Sequence, residues 1–169
     1  MELLTYTEDD LALTEAIECD PAMMKDLGGA WPKEKIPETH RKRLASIAGG
    51  GTWWFKILPD ASGVAAGTIG LWPMEWKGEA AHEMGWMVLP GYQGRGLASA
   101  AGKLILERAR ADGRFHRIHA FPGRDNEASN AICRKLGFAR LEECGIEYGD
   151  RPLKCVHWRL DLDEAHATK

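Results

Sequence analysis

The chain has 169 residues, 44% of them apolar and 28% charged, with a formal net charge of −3. That composition suits one globular domain with a real core and argues against a dedicated nucleic-acid binder, which carries a basic surplus. No apolar run approaches the roughly 18 residues of a membrane span, and Met1–Thr5 does not open a secretory leader, so no membrane partner and a cytoplasmic location are expected.

Residues 2–6 read as a short strand. Thr7 and Asp10 then give a helix N-terminus signal, with a helix over about 8–19. Pro21 opens a second helical piece that Gly28-Gly29 closes, and a third helix spans about 37–48. The aromatic and β-branched run 52–58 is a strand, and 64–72 is its hairpin return after the turn Pro59–Gly63. Residues 73–80 read as a loop and 81–89 as a further strand ended by Pro90-Gly91. A helix from Arg95 or Gly96 to about Ala111 carries an apolar stripe at Leu97, Ala101, Leu104, Ile105 and Ala109. A strand over 115–121, a short helix over 127–136 and two strands, 138–147 and 153–161, complete the order. One domain over 1–162 with a polar tail from 163 is expected, and its fold class is α/β with a mixed, mostly antiparallel sheet of about seven strands and helices on both faces. The four cysteines form no C-x-x-C pair and are expected to be free thiols.

The strongest local signal is Gln93-Gly94-Arg95-Gly96-Leu97-Ala98, a glycine-rich turn between a strand and a helix start. Unpartnered N–H groups at a helix N-terminus stabilise an anion, and glycines let backbone approach phosphate closely. A P-loop would need a Lys-Ser/Thr pair after its last glycine, which is missing. A dinucleotide fingerprint belongs in an opening βαβ unit, whereas this turn lies past mid-chain.

Three motifs in order carry a family resemblance. Gln93–Ala98 resembles the Q/R-x-x-G-x-G/A signature of the GNAT (GCN5-related) N-acetyltransferases. His82–Pro90 resembles the family's fourth strand, and Asn126-Glu127-Ala128-Ser129 with Lys135-Leu136-Gly137-Phe138 resembles its N-x-x-S helix and K-x-G-F close. The N-x-x-S form is most similar to the RimJ/RimL-like branch. The resemblance implies a GNAT-like acyl-CoA N-acyltransferase fold and direct acetyl transfer from acetyl-CoA to a primary amine. The acceptor would be a small molecule or a peptide N-terminus, and a homodimer is compatible with it. A non-catalytic acyl-CoA sensor with the same fold is the alternative.

Acetyl transfer to an amine needs the donor held, the amine neutral, the carbonyl polarised and the departing thiolate protonated. Backbone amides of 93–98 are expected to hold the pyrophosphate, with Arg95 adding charge. Glu83 is the candidate base: an acid within an apolar strand is costly unless used, and partial burial raises its pKa. The resemblance implies that the cofactor arm bonds backbone groups of Met87 and Leu89, and that the amide of Val88 or a neighbour polarises the carbonyl. Asn126 reads both as a plain N-cap and as a partner of the arm. Seven residues beyond Asn126, where many relatives carry a tyrosine, stands Cys133. The proton donor is therefore Ser129, by the resemblance, or water. Trp31, Trp72 and Trp76 fall in stretches that read as loops and suit the walls of a small, partly apolar amine site. His116 and His119 sit on opposite strand faces, so no shared metal is expected.

Overall fold

The computed structural model describes residues 1–163. Seven strands form one sheet: β1 (Glu2–Thr5), β2 (Trp53–Leu58), β3 (Gly67–Trp76), β4 (Glu79–Val88), β5 (Arg117–Ala120), β6 (Ala139–Tyr148) and β7 (Arg151–Asp161). Their order is β1-β2-β3-β4-β5-β7-β6. Only the β4–β5 pair is parallel. The helices are α1 (Leu11–Glu18), α2 (Pro21–Met24), α3 (Ile36–Ala48), α4 (Leu97–Asp112) and α5 (Glu127–Lys135).

Helix α4 crosses from β4 to β5, and its buried stripe Ala101, Ile105 and Ala109 packs with α5 on one sheet face. There Ile69, Leu71, Met84, Ile118, Val156 and Trp158 supply the facing apolar side chains. The opposite face is covered by α1–α3. The chain enters α1 through a 3-10 turn over Glu8–Asp10, where the expected Thr7–Asp10 pairing forms: the Thr7 N–H donates to Asp10 Oδ2 at 2.8 Å, and Asp10 also pairs with Lys56. Asp20 caps α2 by accepting from the Ala22 N–H at 2.7 Å.

One element departs from the sequence reading. Residues 73–80 are not a loop: β3 runs on to Trp76 and β4 begins at Glu79. The two strands are joined by Lys77-Gly78, both at positive φ (53° and 83°), the geometry of a tight hairpin turn. Pro73 suggests a break, but β2 pairs with β3 only as far as Leu71. Beyond that residue β3 has one neighbour, so a strand position lacking an N–H is tolerated. Trp72 and Trp76 are therefore strand residues. The remaining boundaries shift by one to three residues, and the expected tail lies outside the described residues from 164 onward.

Candidate active site

Strands β4 and β5 pair only at His82–Ile118 and Glu83–His119, then part. The gap opens into a cavity of about 570 Å³ between the sheet and the α2–α3 layer. Glu83, Trp72, Met87, Asn126 and Ser129 all line it.

The edge of β4 facing this gap has no strand partner beyond Glu83. A strand residue turns its N–H and C=O toward one edge, and its neighbour turns to the other. The Leu89 N–H donates to Ala66 O at 2.8 Å, on the β3 side. Met87 stands opposite Thr68 in the same ladder and also faces β3. The Val88 groups consequently face the gap, where Gln93 Nε2 donates to the Val88 carbonyl at 2.8 Å. This corrects the expected parity: Trp86 and Val88, rather than Met87 and Leu89, offer backbone to a ligand in the gap. Met87 contributes its side chain to the cavity wall instead.

The glycine-rich turn follows. Gly94 (φ 74°) and Gly96 (φ 73°) are both left-handed, which a side chain resists. Gly96 is the N-cap of α4 with no side-chain cap, and the first turn contains no acid. The Ala100 N–H is the one that returns to Gly96 O, at 3.0 Å. The N–H groups of Leu97 and Ala98 thus stand at the positive end of a 16-residue helix, as an anion site requires. Arg95 braces the turn: Nη2 donates to Gly91 O at 2.9 Å and the guanidinium lies over the Tyr92 ring.

Glu83 sits at the last paired position before the strands separate. Burial pushes its carboxyl up from 4.5 to about 7, opposed by a hydrogen bond that Trp72 Nε1 donates to Glu83 Oε2 at 3.1 Å. That value suits proton removal near neutrality. The bond favours the ionised form, so Trp72→Phe is expected to move the acid limb of the rate–pH profile upward by as much as about one pH unit. A profile that stays put or moves to lower pH would contradict this role for Trp72.

On α5, Asn126 Oδ1 accepts from the Ser129 N–H at 3.0 Å, so it caps the helix, and the residue also lines the cavity. Asn130, which no sequence motif marks, holds the turn. Its Nδ2 donates to Gly123 O and Asn126 O, and its Oδ1 accepts from Trp158 Nε1 at 2.8 Å. Cys133 is buried in the core with its thiol pushed up to about 12, so it is inert.

Two further cavity residues lacked any sequence signal: Trp54 on β2 and Tyr148 at the end of β6. Burial pushes the Tyr148 phenol up to about 12, so it stays neutral. Of the three tryptophans expected at the pocket, only Trp72 lines it. Trp31 backs Tyr148 at 6.5 Å between ring centroids and lies under the Arg151 guanidinium. Trp76 lines a separate cavity of about 240 Å³ with His119 and His157. His119 is buried and bonded to His157 across 2.9 Å, whereas His116 is exposed and pairs with Asp163. Among the described residues, no three His, Cys, Asp or Glu side chains are placed to hold a metal ion.

A family model described as the Acetyltransferase (GNAT) domain matches residues 1–139. The chain belongs to the GNAT acetyltransferase family. An uncharacterized N-acetyltransferase of Bacillus subtilis (strain 168), YnaD, is 38% identical over 66 residues, a stretch covering 39% of each protein. Two solved structures share the GNAT architecture. The first is an acetyltransferase from Salmonella typhimurium that modifies the N-terminal serine of ribosomal protein L7/L12. It aligns with a TM-score of 0.79 and 19% identity, over 95% of this chain and 94% of that one. The second is a spermidine N-acetyltransferase from Vibrio cholerae in complex with CoA and spermine. It aligns with a TM-score of 0.78 and 16% identity, over 95% of each chain. At these identities the likeness speaks to the fold.

Proposed function

We propose that this GNAT protein, acting as one domain over residues 1–162, transfers the acetyl group of acetyl-CoA directly to a primary amine. The observation that carries the reading is Glu83, a half-buried carboxyl with a pKa of about 7 where β4 and β5 part, in the same cavity as Asn126 and Ser129. The residues fit the donor. Leu97 and Ala98, with the Gly94–Gly96 turn, offer amides to its pyrophosphate. The open edge of β4 offers Trp86 and Val88 to the pantetheine arm, and Asn126 offers its amide from the other wall. Bound there, the donor supplies an activated thioester carbonyl.

Glu83 takes a proton from the incoming ammonium, directly or through water, and leaves a neutral nucleophile. The Val88 N–H stabilises charge that develops on the carbonyl oxygen. Ser129, or a water in its place, returns a proton to the sulfur. Cys133 is buried away from solvent and Ser129 has no activating base, so a ternary complex rather than an acyl-enzyme fits these residues. The acceptor is an amine, supported by relatives that act on spermidine and on a protein N-terminal serine. The N-x-x-S helix supports a place near the RimL-like branch, a homodimer is the assembly that branch suggests, and the four free thiols suit the cytoplasm. The test is thiol release from acetyl-CoA across polyamines, aminoglycosides, arylalkylamines, amino acids and N-terminal peptides. Tight CoA binding without turnover on any of these amines would defeat the proposal.

A further inference from the structure

The walls of the cavity around Glu83 discriminate among amine acceptors, an inference that rests on the amine-acetyltransfer reading of this site. Gly70 and Gly85 face each other across β3 and β4. A Cβ on Gly85 would lie 2.5 Å from the Trp72 ring, and one on Gly70 would lie 2.8 Å from Trp54. A side chain at either glycine would collide with an indole, so both rings pack directly against the sheet there. They stack with centroids 5.1 Å apart and planes 28° from parallel. Met87 and Tyr148 add further wall. The result is a slot walled mainly by aromatic and apolar side chains, with the Glu83 carboxyl among them.

The charge in this slot is one-sided. Asp26, Glu83 and Glu147 line it, and the single cationic side chain among the lining residues is Arg43. That guanidinium is committed elsewhere: it pairs with the buried Glu18 at 2.5 Å and lies 4.3 Å over the Trp54 ring. A carboxylate on the carbon next to the acceptor nitrogen would arrive beside Glu83 with no partner. It would lose hydration and meet a like charge.

We propose that the acceptor is a primary amine joined by a short linker to a flat aromatic body, with no carboxylate adjacent to the nitrogen. The aromatic and apolar wall buries the ring, while the carboxylates favour the charge of the approaching ammonium. Free α-amino acids are excluded by charge rather than by size.

Calorimetry on the CoA-loaded protein at pH 8 tests this with phenethylamine, phenylalanine and phenylalaninamide, alongside butylamine, spermidine and a Ser-initiated peptide. Phenethylamine is expected to bind at least about tenfold more tightly than phenylalanine, with phenylalaninamide restoring most of the loss because it removes only the charge. Phenethylamine should also exceed butylamine. The gap between amine and amino acid should narrow at pH 6, where Glu83 is protonated. Equal binding of phenylalanine and phenethylamine overturns the inference, as does preference for spermidine or the peptide, or no binding of any arylalkylamine. Turnover separates the two claims. Selective binding of phenethylamine without acetylation would defeat the role given to Glu83 and leave the slot assignment standing. Efficient acetylation of the peptide or spermidine alone would do the reverse.

Discussion

Glu83→Gln is expected to lower turnover by about a hundredfold or more while the Kd for CoA stays within roughly twofold. Glutamine keeps the shape of the side chain and an oxygen that accepts from Trp72 Nε1, so the stacked indoles have no reason to move. What it removes is the ability to take a proton. In the unaltered protein, kcat/KM is expected to rise with pH through about 7 and then level off, because the ionised carboxylate is the active form. The variant should lack that limb. Stability supplies an independent check. Glu83 has a folded-state pKa above its unfolded value of 4.5, so the native chain holds the proton longer than the unfolded one. Native stability therefore falls as pH rises from about 4.5 to about 7, by an amount on the order of 3 kcal/mol, and is flat above. Glu83→Gln abolishes this loss. Its melting temperature should match that of the unaltered protein at pH 4.5 and exceed it at pH 8. A variant that is inactive and also less stable at pH 8 would point to lost packing rather than a lost base.

What the sequence made legible was local. The strand, left-handed glycines and helix start of 93–98 are fixed by residues within one short stretch, and so is the Asn126 cap of α5. Glu83 could be singled out because one acid in an apolar strand is conspicuous. Three things depended on distant chain. The hairpin through Pro73 is stable because β2 ends its pairing at Leu71, which no residue near Pro73 announces. The parity of the backbone facing the gap depends on the Leu89–Ala66 bond to β3, which turns Met87 and Leu89 away from the gap. Trp54 and Tyr148 reach the slot from β2 and β6, strands that are not neighbours of β4, and nothing adjacent to either residue marks it as functional. The glycines at 70 and 85 show the same limit. Each reads as a weak point in a strand, and only the packed indoles reveal why a side chain is missing there.

The second large effect belongs to the turn. Gly96→Ala is expected to raise the KM for acetyl-CoA by about five- to thirtyfold, with kcat at saturating donor changed little. No atom lies within 4 Å of a Cβ built on Gly96, so the added methyl meets no obstacle. The cost is in the backbone: φ is 73°, and an L-residue held there loses roughly 1–2 kcal/mol. The chain can relieve that cost by rotating the peptide units around residue 96. Rotation redirects the Leu97 and Ala98 N–H groups, which would weaken the proposed interaction with pyrophosphate. Gly94→Ala, at φ 74°, should behave alike. Gly91 is the internal control: it is not left-handed and also has open space around its Cβ, so Gly91→Ala should leave donor binding nearly unchanged. Acetyl-pantetheine, which lacks the pyrophosphate, separates this account from a general loosening of the site. If the loop acts on phosphate, Gly96→Ala weakens CoA and leaves the truncated donor unaffected. If both donors weaken equally, the glycine is needed to place α4 rather than to bind an anion, and the phosphate assignment of residues 93–98 fails.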